Sequence, residues 1–123
     1  MNFTQINFLI NLKNNSLRGK EFLVVKYHSS LVSLVEFLYA EGLIQSFNIK
    51  DMQISVNLRY FHTSLFKNLK IISKPSFKKA VSAPSLCTLP IKNSIFCFST
   101  SSGLHNLAVC KKAKQGGLLF FTA

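Results

Sequence analysis

The last quarter of the chain places apolar segments, a run of hydroxyls and paired glycines in an order that permits few folds. An apolar segment ending at Phe98 leads into residues 99–102, four consecutive hydroxyl residues closed by Gly103. A lysine-rich segment then reaches Gly116-Gly117 and the apolar residues 118–121. Since glycine accepts positive φ and close backbone approach, we predict a strand, a loop, a short helix, a turn and a closing strand. The loop offers hydroxyls and backbone amides, which suit a phosphate backbone better than proton chemistry.

The charges divide unevenly along the chain, and the division indicates a polyanionic partner. The first 51 residues hold five basic and four acidic residues, a net charge of +1. Residues 52–123 hold Arg59, nine lysines and no acid, a net charge of +10. Solubility requires net charge but not the complete absence of carboxylates over such a length. We therefore favour a nucleic-acid interface over a merely solvated surface, and an anionic membrane surface stays as the alternative.

Length and composition indicate an ordered protein of one domain or two small ones. The 123 residues are 48% apolar and include 12 phenylalanines, enough for a buried core. No run of about 18 apolar residues exists, so no membrane span is expected. The cysteines Cys87, Cys97 and Cys110 lack zinc-ligand spacing, and we interpret them as buried apolar residues in a reducing compartment. We therefore expect no metal, no cofactor and no small-molecule substrate.

The N-terminal half has the pattern of a helix–strand–helix–strand–strand unit. An amphipathic helix is predicted over residues 4–14. A second helix follows a cap at Ser29 or Ser30 and ends at Gly42, where a positive φ suits the C-terminal position. Strands are predicted at residues 21–26, 44–50 and 54–58.

The C-terminal half is predicted to be β-rich with one short helix, which gives the whole chain an α+β fold. Pro75 marks a turn, because proline fixes its own φ and holds Lys74 extended. Asn106 is expected to cap the helix, which ends near Ala113. Strands or strand-like arms are predicted at residues 70–73, 77–81 and 94–98 and in the closing apolar run.

Several motifs resemble the bacterial-type small-subunit ribosomal protein eight family over nearly the whole chain. Residues 99–104 look like its Ser-Thr-Ser-x-Gly-Val signature, and Gly116-Gly117 fall at the spacing of its double-glycine turn. Residues 72–75 resemble its Val-Ser-Arg/Lys-Pro segment, at the matching distance from the hydroxyl loop. Its Glu-Glu-Gly-Phe-Ile, Leu-Lys-Tyr and Arg-Asn motifs are resembled by Ala40-Glu41-Gly42-Leu43-Ile44, Leu58-Arg59-Tyr60 and Lys13-Asn14. The combination of these motifs is specific.

The resemblance implies a structural, non-enzymatic protein of the small ribosomal subunit. The family binds a distorted helix in the central domain of small-subunit ribosomal RNA, helps to assemble that domain for translation and lies beside other small-subunit proteins. Distorted helices suit specific recognition because a regular A-form duplex exposes little sequence. We predict an N-terminal α/β domain of residues 1–63 and a C-terminal β-rich RNA-binding domain of residues 64–123. The residues expected to contact RNA are Ser99, Thr100, Ser101, Ser102, Gly103, Ser73, Lys74, Pro75, Lys78, Lys111, Lys112, Lys114, Lys13 and Asn14.

The chain departs from the family pattern at several positions. The family usually has glycine at Ser76, tyrosine at Ala80, lysine at Ser102 and a carboxylate at Leu118. Loss of the tyrosine removes a stacking or hydrogen-bonding contact, and loss of the carboxylate removes a polar group near the loop. Residues 1–20 lack acids but read better as a first structural helix than as a presequence. Together with a composition typical of AT-rich genomes, these features favour a mitochondrial ribosomal protein encoded in the organelle.

Three other classes of protein stay open at this point. An enzyme could use Ser99, His105 and Asp51, although such residue sets occur by chance in most chains and no nucleophile elbow, phosphate loop or metal motif accompanies them. A basic RNA-binding protein outside the ribosome would share the charge pattern. A peripheral membrane protein would use the amphipathic first helix, but the positive charge lies mainly in the second half.

Overall fold

The computed structural model describes residues 3–61, 63–86 and 95–123. Within these residues the chain forms four helices and ten strands, which divide into two compact units, residues 3–68 and residues 69–123. The predicted α+β class is confirmed, with a helix–strand–helix–strand–strand unit first and a β-rich unit with a short helix second. The boundary after residue 63 and the separate roles of the two domains stay predictions.

The first unit is a three-stranded antiparallel sheet with two helices. The sheet order is β1-β3-β2, and a two-stranded hairpin follows it. Both helices bury an apolar stripe, from Ile6 to Leu12 in the first and from Leu31 to Leu38 in the second. The elements are α1 (Phe3–Leu17), β1 (Phe22–Lys26), α2 (Ser29–Ala40), β2 (Ile44–Lys50), β3 (Gln53–Leu58), β4 (Tyr60–Phe61) and β5 (Thr63–Ser64).

Two helix ends in this unit differ from the prediction. Helix α1 continues past Asn14, because Ser16 is buried and the Asn15 side chain donates to the Asn11 carbonyl at 2.8 Å. The cap of α2 is His28 rather than Ser29 or Ser30, since its Nδ1 accepts from the Ser30 backbone N–H at 3.2 Å. The imidazole accepts a hydrogen bond from the same backbone N–H that would donate to a capping hydroxyl.

The turns of the first unit follow the sequence closely. Gly42 has φ +77°, as predicted for the residue after the end of α2. Asp51 and Met52 both have positive φ, and they join β2 to β3 in the kind of two-residue turn that matches the twist of paired strands.

The second unit is built around its last strand. β10 pairs with β6 and β7 along one edge and with β8 along the other, and β9 pairs with β8. A buried cluster of Phe98, Leu107, Cys110 and Leu119 joins this sheet to α4. The elements are β6 (Lys70–Ile71), β7 (Ala80–Val81), α3 (Ala83–Leu86), β8 (Phe96–Thr100), β9 (Gly103–Asn106), α4 (Leu107–Ala113) and β10 (Gly117–Thr122).

Three features of this unit were not predicted. β9 is an additional strand, because the loop after β8 is only two residues long and the chain returns along β8 at once. The arm that ends at Val81 pairs with β10 through Ala80 and Val81, a partner that the sequence does not indicate. A single helical turn, α3, contains Pro84 at its second residue, where the missing N–H costs nothing. Cys87, Pro90 and Ser94, which the sequence predictions mention, lie outside the described residues.

Candidate nucleic-acid interface

The hydroxyl residues form the tip of the hairpin between β8 and β9. Ser99 pairs with Leu104 and Thr100 pairs with Gly103, which leaves Ser101 and Ser102 alone in the turn. Ser99 and Thr100 therefore belong to a strand rather than to the predicted loop. Gly103 has φ +119°, a conformation that side chains rarely tolerate. We call residues 99–103 the hydroxyl hairpin.

The amide of Gln115 bridges the two corner residues of the hydroxyl hairpin. Its Nε2 donates to Ser101 Oγ at 2.9 Å, and its Oε1 accepts from Ser102 Oγ at 3.2 Å. Ser102 Oγ also lies 3.0 Å from His105 Nε2 and 3.1 Å from Thr100 Oγ1. Because Ser101 accepts from the amide, its own O–H is available to donate outwards.

The remaining two hydroxyls have different roles. Thr100 Oγ1 donates to the Gly103 carbonyl at 2.9 Å and so helps to close the turn. The Ser99 hydroxyl makes no hydrogen bond within the described part of the chain. The hairpin thus offers Ser99 and Ser101 as partners for an external ligand, while Thr100 and Ser102 hold its shape.

The double glycine lets two chain segments approach β10 more closely than any side chain would allow. A Cβ at Gly117 would lie 2.6 Å from the Ser99 carbonyl oxygen. A Cβ at Gly116 would lie 2.5 Å from the Val81 carbonyl oxygen. Any other residue at either position would push the hydroxyl hairpin or β7 away from β10.

Helix α4 places both Gln115 and the lysines beside the hairpin. Asn106 caps it as predicted, with Oδ1 accepting from the Val109 N–H at 2.9 Å. The helix ends at Lys114, whose φ of 52° turns the chain back, and the Gln115 N–H donates to the Cys110 carbonyl at 3.1 Å. Lys112 and Lys114 are exposed, and Lys111 is half-buried.

The segment around Pro75 forms a second candidate contact on the edge of the same sheet. Lys74 and Phe77 exchange two backbone hydrogen bonds, of 2.7 and 3.0 Å, so Pro75 and Ser76 stand at the corners of a tight turn. Lys74 is exposed and Pro75 half-buried, and Lys78 lies in the exposed segment that leads to β7.

Ser73 has a different environment from its predicted neighbours. Its side chain is 0% exposed, its hydroxyl donates to the Leu119 carbonyl, and the Lys79 N–H donates to it at 3.0 Å. Ser73 therefore ties the Pro75 turn to β10 from within, and we treat it as a positioning residue.

The two remaining predicted contacts, Lys13 and Asn14, lie on α1 of the first unit. Lys13 is half-buried and Asn14 is exposed. They belong to the first unit, whereas the hydroxyl hairpin and the Pro75 turn share the sheet of the second unit.

Charge in the second unit is of one sign. Residues 69–123 contain eight lysines and no carboxylate side chain. Cys97 and Cys110 are buried, as predicted, and neither forms a disulfide within the described residues; burial raises the pKa of the Cys110 thiol above its usual value. Both thiols therefore act as apolar core groups, and the surface chemistry of the unit comes from hydroxyls, amides and lysines.

The strand register argues against the enzyme alternative. Ser99 is opposite Leu104 and Phe98 is opposite His105, so Ser99 and His105 point to opposite faces of the hairpin. The imidazole contacts Ser102 instead. Ser99 and His105 therefore do not form the nucleophile–base pair that the alternative requires.

Neither a metal-binding cluster nor a membrane-spanning helix occurs in the part of the chain that the structure describes. In residues 3–61, 63–86 and 95–123, no three His, Cys, Asp or Glu side chains are grouped so that they would hold a metal ion. None of the helices in these ranges is long and apolar enough to cross a membrane.

Comparison with known proteins decides the family. The model of the ribosomal protein S8 family matches residues 5–122, almost the full chain. The chain belongs to the ribosomal protein S8 family. It is 27% identical to small ribosomal subunit protein uS8 of Ehrlichia canis over 117 residues, which cover 90% of this chain and 89% of that one. It is 28% identical to the Carsonella ruddii protein over 119 residues, 97% and 95% of the two chains.

Membership makes this chain a structural component of the small ribosomal subunit. The S8 family is a structural one, without enzymatic activity. Among the S8 relatives, the protein of Buchnera aphidicola is 26% identical over 110 residues, 86% of this chain and 85% of that one. The identities stay below 30%, as expected for the divergence noted at Ser76, Ala80, Ser102 and Leu118.

Sequence reasoning missed Gln115 as part of this site. The residue stands between a lysine and two glycines, and nothing in that context indicates a contact. Only the left-handed turn at Lys114 brings its amide to Ser101 and Ser102. The one available signal was the serine at position 102, where the family has lysine. A hydroxyl at that position indicates a neutral hydrogen-bonding partner nearby.

Proposed function

We propose that this S8-family chain binds a distorted helix in the central domain of small-subunit ribosomal RNA and supports assembly of that domain. The hydroxyl hairpin supplies the specific contacts, chiefly through Ser99 and Ser101. Lysines around it supply sequence-independent attraction to phosphates. The observation that carries the proposal is the Gln115 bridge, which fixes the two corner hydroxyls in one orientation before any ligand arrives.

The division of labour follows from the reach of the side chains. A lysine makes a salt-screened contact with any phosphate and carries little sequence information. A hydroxyl held at the tip of a rigid hairpin meets a ribose hydroxyl or base edge only when the RNA has the matching shape. We therefore assign positioning on the RNA to Lys111, Lys112 and Lys114, and discrimination between RNAs to the hairpin.

The first test measures binding of the full-length protein to a central-domain fragment of its own small-subunit ribosomal RNA. If four to six phosphates are neutralised, the logarithm of affinity falls against the logarithm of salt concentration with a slope of about −3 to −5. Lys111→Ala lowers this slope by about one and weakens binding to all RNAs. A slope near zero would remove the basic surface from the proposal.

The second test separates the hairpin from the lysines. Ser99→Ala and Ser101→Ala are each expected to cost about 1–2 kcal/mol of binding to the cognate fragment, because a polar group on the RNA loses its partner. Binding to an unrelated RNA of equal length stays unchanged. Melting curves control for folding, and Thr100→Ala serves as a variant that acts mainly through the turn. Unchanged affinity in both serine variants would exclude the hairpin from the interface.

We further propose that the ribosome concerned is mitochondrial and that the protein is encoded in that organelle. The support is the AT-rich compositional bias and the departures from the family pattern, notably Ala80 and Leu118. Quantitative mass spectrometry of ribosomes from purified mitochondria and from cytosol tests the location. Labelling that persists when cytosolic translation is blocked tests the site of synthesis. Recovery with cytosolic or plastid ribosomes would contradict the assignment.

A further inference from the structure

The first unit has an open sheet face that carries neutral polar groups, two lysines and an exposed aromatic ring. Strand register assigns nine side chains to this face, and three of them, those of Phe22, Val24 and Lys26, come from β1. α1 and α2 contact β1 and β2, and the buried residues Ile54 and Val56 of β3 alternate with residues of the open face. The nine residues are Phe22, Val24, Lys26, Ser46, Asn48, Lys50, Gln53, Ser55 and Asn57.

Register places the lysines in a single row. Gln53 is paired with Lys26 on one side and with Lys50 on the other. Since neighbouring strands are about 4.8 Å apart, the two lysine backbones are about 10 Å apart with one amide side chain between them. Lys26, Gln53 and Lys50 are all exposed, and none of the nine side chains of the face is acidic.

The rest of the face is polar except on β1. Asn57 donates to Ser46 Oγ at 2.7 Å, so these two residues form a bonded pair at the end opposite to the lysines. Phe22, which stands opposite Asn57, is 60% exposed, and Val24 is also exposed. Amides and hydroxyls form hydrogen bonds with the edges of unpaired bases, and an exposed aromatic ring stacks on a base.

Two depressions extend this face. One, of about 200 Å³, is lined by Lys50, Gln53 and Ser55 together with Asp51 of the neighbouring turn. The other, of about 750 Å³, begins at Asn57 and continues past the end of the strand. Its further lining residues are Glu21, Gln45, Leu58, Arg59 and Tyr60. The cations Lys26, Lys50 and Arg59 outnumber the carboxylates of Glu21 and Asp51 along this path.

We infer that the open face binds a single-stranded or unpaired RNA segment, with phosphates at Lys26 and Lys50 and a base on Phe22. The charge of this face favours RNA over a protein as its partner. The core of a protein interface is depleted in charged residues and enriched in aromatic ones, whereas this face has one aromatic ring and two lysines. A duplex offers no unpaired base to the ring, so the segment is unpaired. This face belongs to the first unit, whereas the hydroxyl hairpin belongs to the second.

The probe is a fluorescent octamer of oligouridylate bound to the full-length protein at low salt. Phe22→Ala is expected to weaken octamer binding by about tenfold, the scale of one lost stacking contact. Lys26→Gln/Lys50→Gln is expected to weaken it to a similar degree, because two phosphate contacts are lost. The matched controls are Arg18→Gln/Lys67→Gln, two exposed cations off the face, and Phe3→Ala, a ring that is 70% exposed on α1. The controls leave octamer affinity unchanged.

The central-domain fragment separates this inference from the proposed function. Open-face variants keep their affinity for a fragment that contains only the distorted helix, whereas Ser101→Ala lowers it and leaves octamer binding intact. Ultraviolet crosslinking with mass spectrometry adds a readout that does not depend on variants, with the Phe22 peptide as the expected site. Equal octamer binding by open-face and control variants, or crosslinks confined to residues 69–123, would overturn the inference alone.

Discussion

Ala80 lies directly opposite Leu118 on neighbouring strands, and Leu118 lies opposite Ser99 on its other side. The three side chains therefore share one face of the sheet, in a row that ends at the hydroxyl hairpin. The family pattern has tyrosine at the first position and a carboxylate at the second. The two departures thus fall on one cross-strand pair. We interpret them as a joint loss, because removing either member of a phenol–carboxylate pair leaves the other without its partner.

A double-mutant cycle tests this interpretation. Leu118→Glu alone lowers affinity for the RNA fragment, since it sets a carboxylate beside the proposed phosphate surface. Addition of Ala80→Tyr restores part of the loss, with a coupling energy of about 0.5–1 kcal/mol between the two positions. Filter binding at fixed salt measures the four affinities. Simple additivity of the two substitutions would contradict a joint loss.

Gly117→Ala is expected to destabilise the second unit, since the new methyl group would meet the Ser99 carbonyl at 2.6 Å. Overpacking of this kind costs about 1–3 kcal/mol and lowers the melting temperature by several degrees. Gly19→Ala is the matched control, because Gly19 has φ +75° and no atom within 4 Å of the added Cβ. The control carries only the strain of a left-handed alanine, about 1–2 kcal/mol. Gly117→Ala also displaces the hairpin and weakens RNA binding, which the control does not.

Ser73→Ala separates a structural from a binding role in the Pro75 turn. The variant leaves the Leu119 carbonyl and the Lys79 N–H without their buried partner, at an expected cost of about 1–3 kcal/mol in unfolding free energy. Ser76→Ala, at the exposed corner of the same turn, leaves stability unchanged within about 0.5 kcal/mol. Urea denaturation measures both. A Ser73 variant that loses RNA affinity at unchanged stability would instead make Ser73 a direct contact.

Gln115 is predicted to act on RNA affinity through the hairpin. Gln115→Ala removes both hydrogen bonds to the turn and lowers affinity about three- to tenfold, with little effect on melting. Gln115→Glu has a larger effect, because a carboxylate accepts from Ser101 as well and uses the O–H that would otherwise donate to RNA. Asn7→Ala, which removes an exposed side-chain amide of α1, is the control. Equal affinities for Gln115→Ala and Asn7→Ala would exclude the bridge from recognition.

Local patterns of the sequence predicted most elements, because their causes are local. The stripe from Leu31 to Leu38 and the glycine at position 42 define α2, and Asn106 defines the start of α4. The strand β9 escaped prediction because polar Gly103, His105 and Asn106 have no strand pattern and are held by pairing with β8.

The candidate site was predictable as a set of hydroxyls and lysines but not as a geometry. Gln115 and His105 determine which hydroxyls of the hairpin are already hydrogen-bonded within the protein. These contacts form only after α4 has folded back onto the sheet. Ser73 shows the same limit, since a hydroxyl in a basic turn gives no sign that it will be buried under Leu119. Register and burial are properties of the assembled sheet, and a one-dimensional pattern does not contain them.

The position of β10 has a consequence for the time at which the protein becomes functional. This strand pairs with β6, β7 and β8, yet it is synthesised after all three. During translation all strands of the first unit are synthesised before residue 69. The second unit has an incomplete sheet, with an exposed apolar face, until β10 has been synthesised. Pairing over so many residues is slow. A nascent chain therefore completes the sheet that carries its hydroxyl hairpin last, and a chain that ends before Gly117 lacks the strand with which β6, β7 and β8 pair.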